Sequence, residues 1–261
     1  MVPGQTATRA QALLEQALYP GVRFRDGQLE AVLALVDGHR QALVVERTGW
    51  GKSVVCFLAT RLLRDGGAGP TLLISPLLAL MRDQMRTTAR LSVNAESINS
   101  TNQPDWPEVE ERLAADEVDL LLVSPERLGN EDFQRLVREV MPRGLGLFVV
   151  DEAHCISDWS HDFRPDYRRI QRLVRLLLPY VPLLATTATA NDRVVADVEE
   201  QLRPDLIVIQ VLGFPARPTG SPGWPSSCRC SRARHGTISV GNNWRKGERC
   251  RSTRMPAGAR S

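Results

Sequence analysis

Residues 42–58 read ALVVERTGWGKSVVCFL: a short apolar run, a glycine-containing loop, and then an apolar pattern with helical spacing. This order is typical of a phosphate-binding loop, because glycines leave backbone N–H groups free to point inward and the helix N-terminus favours an anion. The residues predicted to bind phosphate are Thr48, Gly49, Trp50, Gly51, Lys52 and Ser53. The pattern G-x-x-x-x-G-K-[ST] fails at its first glycine, where this chain has Glu46. A glycine turn that only caps a helix is the alternative interpretation.

Lysine usage supports the phosphate-binding interpretation. Residues 1–212 contain 22 arginines and a single lysine, Lys52. A compact, flexible ammonium suits a phosphate in a tight loop. Lys52 is therefore a candidate catalytic residue.

A second candidate site follows the apolar run at 147–150, where the sequence continues DEAH. The run predicts a strand that delivers adjacent carboxylates to the carboxyl edge of a sheet. Asp151 is expected to hold Mg²⁺ together with Ser53, and Glu152 to orient and deprotonate an attacking water. His154 completes the candidate catalytic set. Without a phosphate loop elsewhere, an acidic pair after a strand would more often be a solvated turn or a helix N-cap.

Short apolar runs alternate with helical patterns through the first 212 residues. The predicted strands are 42–45, 71–74, 120–123, 147–150, 183–185 and 206–209. The predicted helices are 9–18, 25–36, 52–64, 77–88, 107–115, 132–140, 165–178 and 191–202. Apolar runs without polar alternation are typical of strands covered on both faces. The pattern predicts an α/β fold with an open, mostly parallel sheet and helices on both faces.

Composition excludes several classes of protein. The chain has 261 residues, of which 43% are hydrophobic and 24% charged, ordinary values for a globular protein. It has no apolar run of about 18 residues and no basic-then-apolar N-terminus, so neither a membrane span nor a secretory signal is expected. Five cysteines without paired spacing do not form a disulfide framework. We therefore expect a cytoplasmic protein with no membrane partner.

The charge pattern divides the chain into two parts. Residues 213–261 hold ten basic residues and one acid, and nineteen of these 49 residues are Gly, Pro or Ser. The segment has too few apolar residues for their burial to offset the conformational entropy lost on ordering. It is therefore predicted to be disordered. We therefore divide the chain into an α/β domain at 1–212 and a basic tail at 213–261.

Further motifs surround the two candidate sites. They are FRDGQ (24–28), SPLLALMRDQ (75–84), INSTN (98–102), VSPERL (123–128), DEAHCISDWSHDFRPDY (151–167) and ATTATA (185–190). Together with TGWGKS, these segments resemble the RecQ family of DNA helicases in superfamily 2, over about residues 10–202. The phosphate loop of superfamily 2 often lacks the first glycine, which agrees with Glu46.

The resemblance implies a RecA-like ATP-binding domain of an ATP-dependent DNA helicase. It implies ATP and Mg²⁺ as cofactors, single-stranded or forked DNA as partner, 3′ to 5′ translocation, and a role in recombination and repair. It also implies a second RecA-like lobe that supplies arginine fingers, yet the strand pattern stops near Val211 and the tail resembles frame-shifted coding sequence. Trp50 is expected in an exposed apolar patch facing that lobe. A non-catalytic module that binds ATP and DNA is therefore the alternative function.

The resemblance also assigns single residues to the nucleotide and to DNA. Gln28 is expected to recognise adenine, since an amide offers a donor and an acceptor together, with Phe24 and Arg25 packed near the base. The residues expected to contact DNA or to couple it to hydrolysis are Ser75, Asn99, Ser124, Arg127, Trp159, His161, Phe163, Arg164, Thr187 and Thr189. From the residues alone, Trp159 and Phe163 are equally well core residues, and the threonines equally well helix caps.

Overall fold

The computed structural model describes residues 3–76, 88–99, 102–129, 133, 144–157, 170, 181–188, 192–202 and 207–209. Helices in these residues are α1 (Pro3–Ala17), α2 (Gln28–Val36), α3 (Lys52–Asp65), α4 (Trp106–Ala114) and α5 (Asp192–Leu202). The strands are β1 (Gln41–Val45), β2 (Thr71–Ile74), β3 (Ala95–Ile98), β4 (Leu120–Val123), β5 (Leu147–Val150), β6 (Leu183–Thr187) and β7 (Ile207–Ile209). Short 3-10 helices lie at Gln103–Asp105, Pro125–Gly129 and Ala153–Ile156.

The strands form one seven-stranded sheet in the order β3-β4-β2-β5-β6-β1-β7. Each pairing between neighbours is parallel. The predicted α/β fold with a parallel sheet is therefore confirmed. Because the strands are parallel, the segments that follow them meet at one edge of the sheet, where ligands of such folds bind.

Both faces of the sheet are covered by helices, as the uninterrupted apolar runs predict. In β1, Ala42 and Val44 belong to an apolar cluster with α1, α2 and α3. Leu43 and Val45 belong to a second cluster, which includes residues of α4 and α5. Within the described residues, no helix has the length and apolar character needed to cross a bilayer.

One strand, β3, has no counterpart among the predicted strands. Its sequence is AESI, and three of its four residues are half-buried. It lies at the end of the strand order and pairs with β4. An edge strand is covered less than a central one, so it needs no continuous apolar run and escapes a search for such runs. Apart from Phe133 and Ile170, the predicted helices at 132–140 and 165–178 lie outside the described residues, as do most of the predicted helix at 77–88 and the tail.

Arg64 in α3 holds the amino edge of the sheet together. Its Nε donates to Asp119 Oδ1 at 2.7 Å and its terminal nitrogen to Asp116 Oδ1 at 2.8 Å, and the side chain is 11% exposed. Asp119 Oδ2 in turn accepts the backbone N–H of Asn94 at 2.9 Å. The network therefore joins α3 to the segments that lead into β3 and β4.

The variant Arg64→Leu is expected to lower the free energy of unfolding by about 3 kcal/mol, because two carboxylates lose a cation in a partly buried position. Urea denaturation measures this loss. The matched control is Arg61→Leu in the same helix, which removes an i,i+4 pair with Asp65 whose side chains are 28% and 23% exposed. That control is expected to cost less than about 1 kcal/mol. Equal losses in the two variants would contradict the role given to Arg64.

Candidate functional site

The glycine-containing loop connects β1 to α3, as predicted. Gly49 has φ +84° and Gly51 has φ +102°, backbone conformations that favour glycine. Lys52 is the first residue of α3, and its Nζ donates to the backbone oxygen of Glu46 at 2.6 Å. The ammonium is therefore folded back over the loop.

The FRDGQ element braces this loop. Gln28 Nε2 donates to the backbone oxygen of Trp50 at 2.7 Å, while Gln28 Oε1 accepts the backbone N–H of Arg25 at 2.9 Å. The Arg25 guanidinium donates to the backbone oxygen of Gly49. A Cβ added to Gly51 would lie 2.6 Å from Gln28 Nε2, so this glycine is required by a close approach as well as by its φ. Residues predicted to bind adenine and phosphate therefore form one hydrogen-bonded unit.

Trp50 does not lie where the sequence analysis expected it. Its side chain is 6% exposed and belongs to the apolar cluster shared with α1, α2 and α3. The expectation of an exposed patch at this residue is wrong. The reason is that the Gln28–Trp50 bond holds the loop against α2, so the indole packs into the core. Phe24 is partly buried against the same cluster.

Asp151 is held by a hydroxyl from each neighbouring strand. The registers of β2, β5 and β6 bring Ser75 and Thr186 to either side of it. Ser75 Oγ donates to Oδ2 at 3.2 Å and Thr186 Oγ1 donates to Oδ1 at 2.7 Å. Burial raises the pKa of Asp151, and the hydrogen bond from Thr186 opposes this shift. The carboxylate is thus fixed in orientation.

The sequence did not predict that Ser75 and Thr186 would bond to Asp151. Ser75, predicted to contact DNA, is fully buried and directs its hydroxyl at Asp151. Thr186 was not singled out, although it precedes Thr187 in the motif that was. The signal needed to find it is the adjacency of β5 and β6, which a single sequence does not reveal.

Glu152 and His154 form an ion pair beside Asp151. Glu152 has φ +50°, and its Oε2 lies 3.2 Å from His154 Nδ1. The hydrogen bond from His154 lowers the pKa of Glu152, with a smaller contribution from the charge of Lys52. Contacts with the Cys155 thiol and with Glu152 raise the pKa of His154 to about 10. Nδ1 also lies 3.0 Å from Thr187 Oγ1, so the motif containing Thr187 touches the DEAH motif directly.

The two predicted motifs share one small pocket. It is lined by Lys52, Ser53, Asp151 and Thr186 at its polar side and by Cys56, Phe57, Leu73 and Val149 at its apolar side. Burial lowers the pKa of Lys52, and the negative charges of Glu152, Asp151 and Glu46 oppose that shift. The pocket therefore brings a cation, a hydroxyl and a carboxylate together at the carboxyl edge of the sheet.

The chemistry of these residues fits a magnesium ion bound with a nucleotide. The hydroxyl of Ser53 and the carboxylate of Asp151 are hard oxygen ligands, which Mg²⁺ prefers. Among the described residues there is no group of three or more His, Cys, Asp or Glu able to hold a metal by itself. Mg²⁺ usually takes one or two protein oxygens and completes its shell with phosphate oxygens and water.

The remaining predicted residues lie at the same edge of the sheet or outside the described residues. Asn99 follows β3 and donates its backbone N–H to Asn102 Oδ1 at 2.9 Å. Ser124 follows β4 and is 2% exposed. The Arg127 guanidinium lies 4.8 Å from the centre of the Trp106 ring. The predicted residues that the structure does not describe are Trp159, His161, Phe163, Arg164 and Thr189.

Comparison with known proteins identifies the family of the chain. A family model described as DEAD/DEAH box helicase matches residues 25–198. The chain is 39% identical over 198 residues to the ATP-dependent DNA helicase RecQ of Bacillus subtilis (strain 168), covering 74% of this chain and 32% of that protein. It is 36% identical over 183 residues to the ATP-dependent helicase SGS1 of Saccharomyces cerevisiae, covering 69% of this chain and 12% of that protein.

A solved structure resembles the fold as well. The helicase domain of Pyrococcus furiosus Hef matches with a TM-score of 0.52 at 17% identity, over 69% of this chain and 36% of that one. The chain spans a third or less of the length of the RecQ and SGS1 relatives. The resemblance drawn from the motifs is confirmed. The chain belongs to the DEAD/DEAH box helicases and, among them, to the RecQ family.

Proposed function

We propose that this chain is the first, ATP-binding lobe of a RecQ-type DNA helicase. In this proposal, ATP hydrolysis drives 3′ to 5′ translocation along DNA and its unwinding, in recombination and repair. The observation that carries the proposal is the single pocket shared by Lys52, Ser53 and Asp151, with Glu152 beside it. The names of the RecQ and SGS1 relatives, both ATP-dependent helicases, support it.

Each charged residue of the pocket has a proposed part in hydrolysis. The backbone N–H groups of the loop and the ammonium of Lys52 bind the phosphates of ATP. Ser53 and Asp151 would hold Mg²⁺, which when bound neutralises charge on the phosphates. Glu152 orients the attacking water and accepts its proton. Its lowered pKa keeps the carboxylate ionised at neutral pH, as a base requires.

Gln28 is proposed to recognise adenine while it braces the loop. One amide N–H and one lone pair are used in the bonds to Trp50 and Arg25. A primary amide has a second N–H and further acceptor capacity, so adenine recognition is compatible with both bonds. Phe24 and Arg25 are proposed to lie near the base. ATP binding and loop conformation would then be coupled through one side chain.

The proposed partner is single-stranded or forked DNA. Asn99, Ser124 and Arg127 would contact its backbone, with the undescribed Trp159, His161, Phe163, Arg164 and Thr189 stacking on bases or coupling the strand to hydrolysis. For Ser75 we propose a role in orienting Asp151. Thr187 is proposed to link the bound DNA strand to His154. The division into a domain at 1–212 and a tail at 213–261, and a cytoplasmic location, remain proposals, the latter supported by the free thiols of Cys56 and Cys155.

Steady-state ATP hydrolysis by the purified chain, with and without single-stranded DNA, tests the proposal. Lys52→Ala serves as the blank. Turnover that DNA stimulates and Lys52→Ala abolishes is the expected result. Bound Mg-ATP with no turnover above the blank would favour the alternative, a non-catalytic module that binds ATP and DNA. A chain that binds no Mg-ATP would overturn the proposal.

A further inference from the structure

We propose that Trp106 is a positioning residue that holds the Arg127 guanidinium ready for a backbone phosphate of DNA. The inference rests on the proposed function, since it takes DNA as the partner of this edge of the sheet. It adds a residue from α4 that no motif of the sequence analysis contains. It also explains how one arginine is kept available for an external anion.

Arg127 differs from three arginines of the described chain that are neutralised by carboxylates, namely Arg61, Arg64 and Arg112. Each of these three forms an ion pair with a carboxylate. Within the described residues, Arg127 has no such pair, and its buried Nε has no hydrogen-bond partner. Its guanidinium instead lies over the Trp106 ring, 4.8 Å from the ring centre. A cation held by a ring face keeps its terminal N–H groups for an external anion.

Trp106 is itself fixed by the end of β3. Its Nε1 donates to Asn102 Oδ1 at 3.3 Å, and the same oxygen accepts the backbone N–H of Asn99. Asn102 Nδ2 donates to the backbone oxygen of Ser97 at 2.6 Å. The indole is also packed against the apolar cluster that includes α4 residues. The ring is thus a rigid platform, and the side chain that rests on it loses little further freedom when it binds.

The net charge of residues 1–212 indicates that the anion for the Arg127 guanidinium is a DNA phosphate. Residues 1–212 carry 29 acidic and 23 basic side chains, so this part of the chain has no overall attraction for DNA. Phosphates must then be met by local cations that no carboxylate neutralises. Arg127 is such a cation at the sheet edge where ligands of parallel α/β folds bind. Ser124, directly after β4, has a buried hydroxyl without a hydrogen-bond partner among the described residues.

Anisotropy of a labelled oligothymidine measured over a range of salt concentrations tests the inference. Arg127→Ala is expected to weaken binding by about 3- to 10-fold and to reduce the salt slope by about 0.7, the value for one phosphate contact on a single strand. Trp106→Leu, although it removes no charge, is expected to reproduce both effects. The double variant is expected to bind no more weakly than Arg127→Ala, and Trp106→Phe to retain most of the affinity.

Two controls separate positioning from damage to the fold. Arg112 lies in α4, the helix that contains Trp106, and it pairs with Glu96. Arg112→Ala should leave the affinity for DNA unchanged. Trp106→Leu should keep the Mg-ATP affinity of the wild type. An unchanged salt slope in Trp106→Leu, or additive losses of affinity in the double variant, overturns this inference and leaves the proposed function intact. A wild-type chain that binds no oligothymidine overturns the proposed DNA partner, and the inference with it.

Discussion

Glu152→Gln is expected to lower steady-state ATP hydrolysis by about 10³-fold and to leave the affinity for Mg-ATP within about twofold. The carboxylate is ionised at neutral pH, and the hydrogen bond from His154 lowers its pKa further, whereas the amide cannot accept a proton from water. Glutamine has the same shape and retains an oxygen for the contact with His154. Binding of the nucleotide is proposed to depend on the loop and on Lys52, which this substitution leaves intact. A coupled hydrolysis assay and calorimetric titration with Mg-ATP measure the two quantities.

A second glutamate supplies the control for this prediction. Glu117→Gln makes the same chemical change at a side chain that is 61% exposed and lies at the other edge of the sheet. Hydrolysis by that variant should equal the wild type. If Glu152→Gln kept wild-type turnover, Glu152 could not be the base. If it lost Mg-ATP binding in parallel with turnover, the residue would serve the binding site and not the chemical step.

Gly51→Ala is expected to reduce the affinity for ATP by about 100-fold. The backbone of Gly51 has φ +102°, where an L side chain costs about 1–3 kcal/mol. The new Cβ would also lie 2.6 Å from Gln28 Nε2, a separation that requires Gln28 to move. The bond from Gln28 to Trp50 would then break, and each lost hydrogen bond costs about 1 kcal/mol. Both effects displace the loop that is proposed to hold the phosphates.

Strain and collision can be separated with a distant glycine. Gly67 has φ +83° and no heavy atom within 4 Å of an added Cβ, and it lies in the turn after α3, away from the loop. Gly67→Ala should therefore lower the stability of the chain and leave the affinity for ATP unchanged. Thermal unfolding and nucleotide titration of both variants provide the measurements. Equal ATP affinity in Gly51→Ala and the wild type would show that the loop tolerates the collision.

The sequence by itself was enough to predict six of the seven strands and the two motifs at the edge of the sheet. Strands β2, β4 and β5 begin and end at the predicted residues, because a strand buried on both faces needs an unbroken apolar run. The phosphate loop and the DEAH segment were found because their chemistry is local. Glycines, a lysine and adjacent carboxylates stand within a few residues of one another, directly after a strand.

Contacts between segments far apart in the chain were decided by the tertiary structure alone. Ser75 and Thr186 reach Asp151 only because β2 and β6 flank β5, and strand order leaves no trace in local composition. Trp50 is buried, against expectation, since a bond from α2 holds its loop to the core. Trp106 meets Arg127 because α4 follows β3 in the chain, Arg127 follows β4, and β3 pairs with β4. In each case local sequence fixes which groups are present, whereas long-range packing fixes which of them touch.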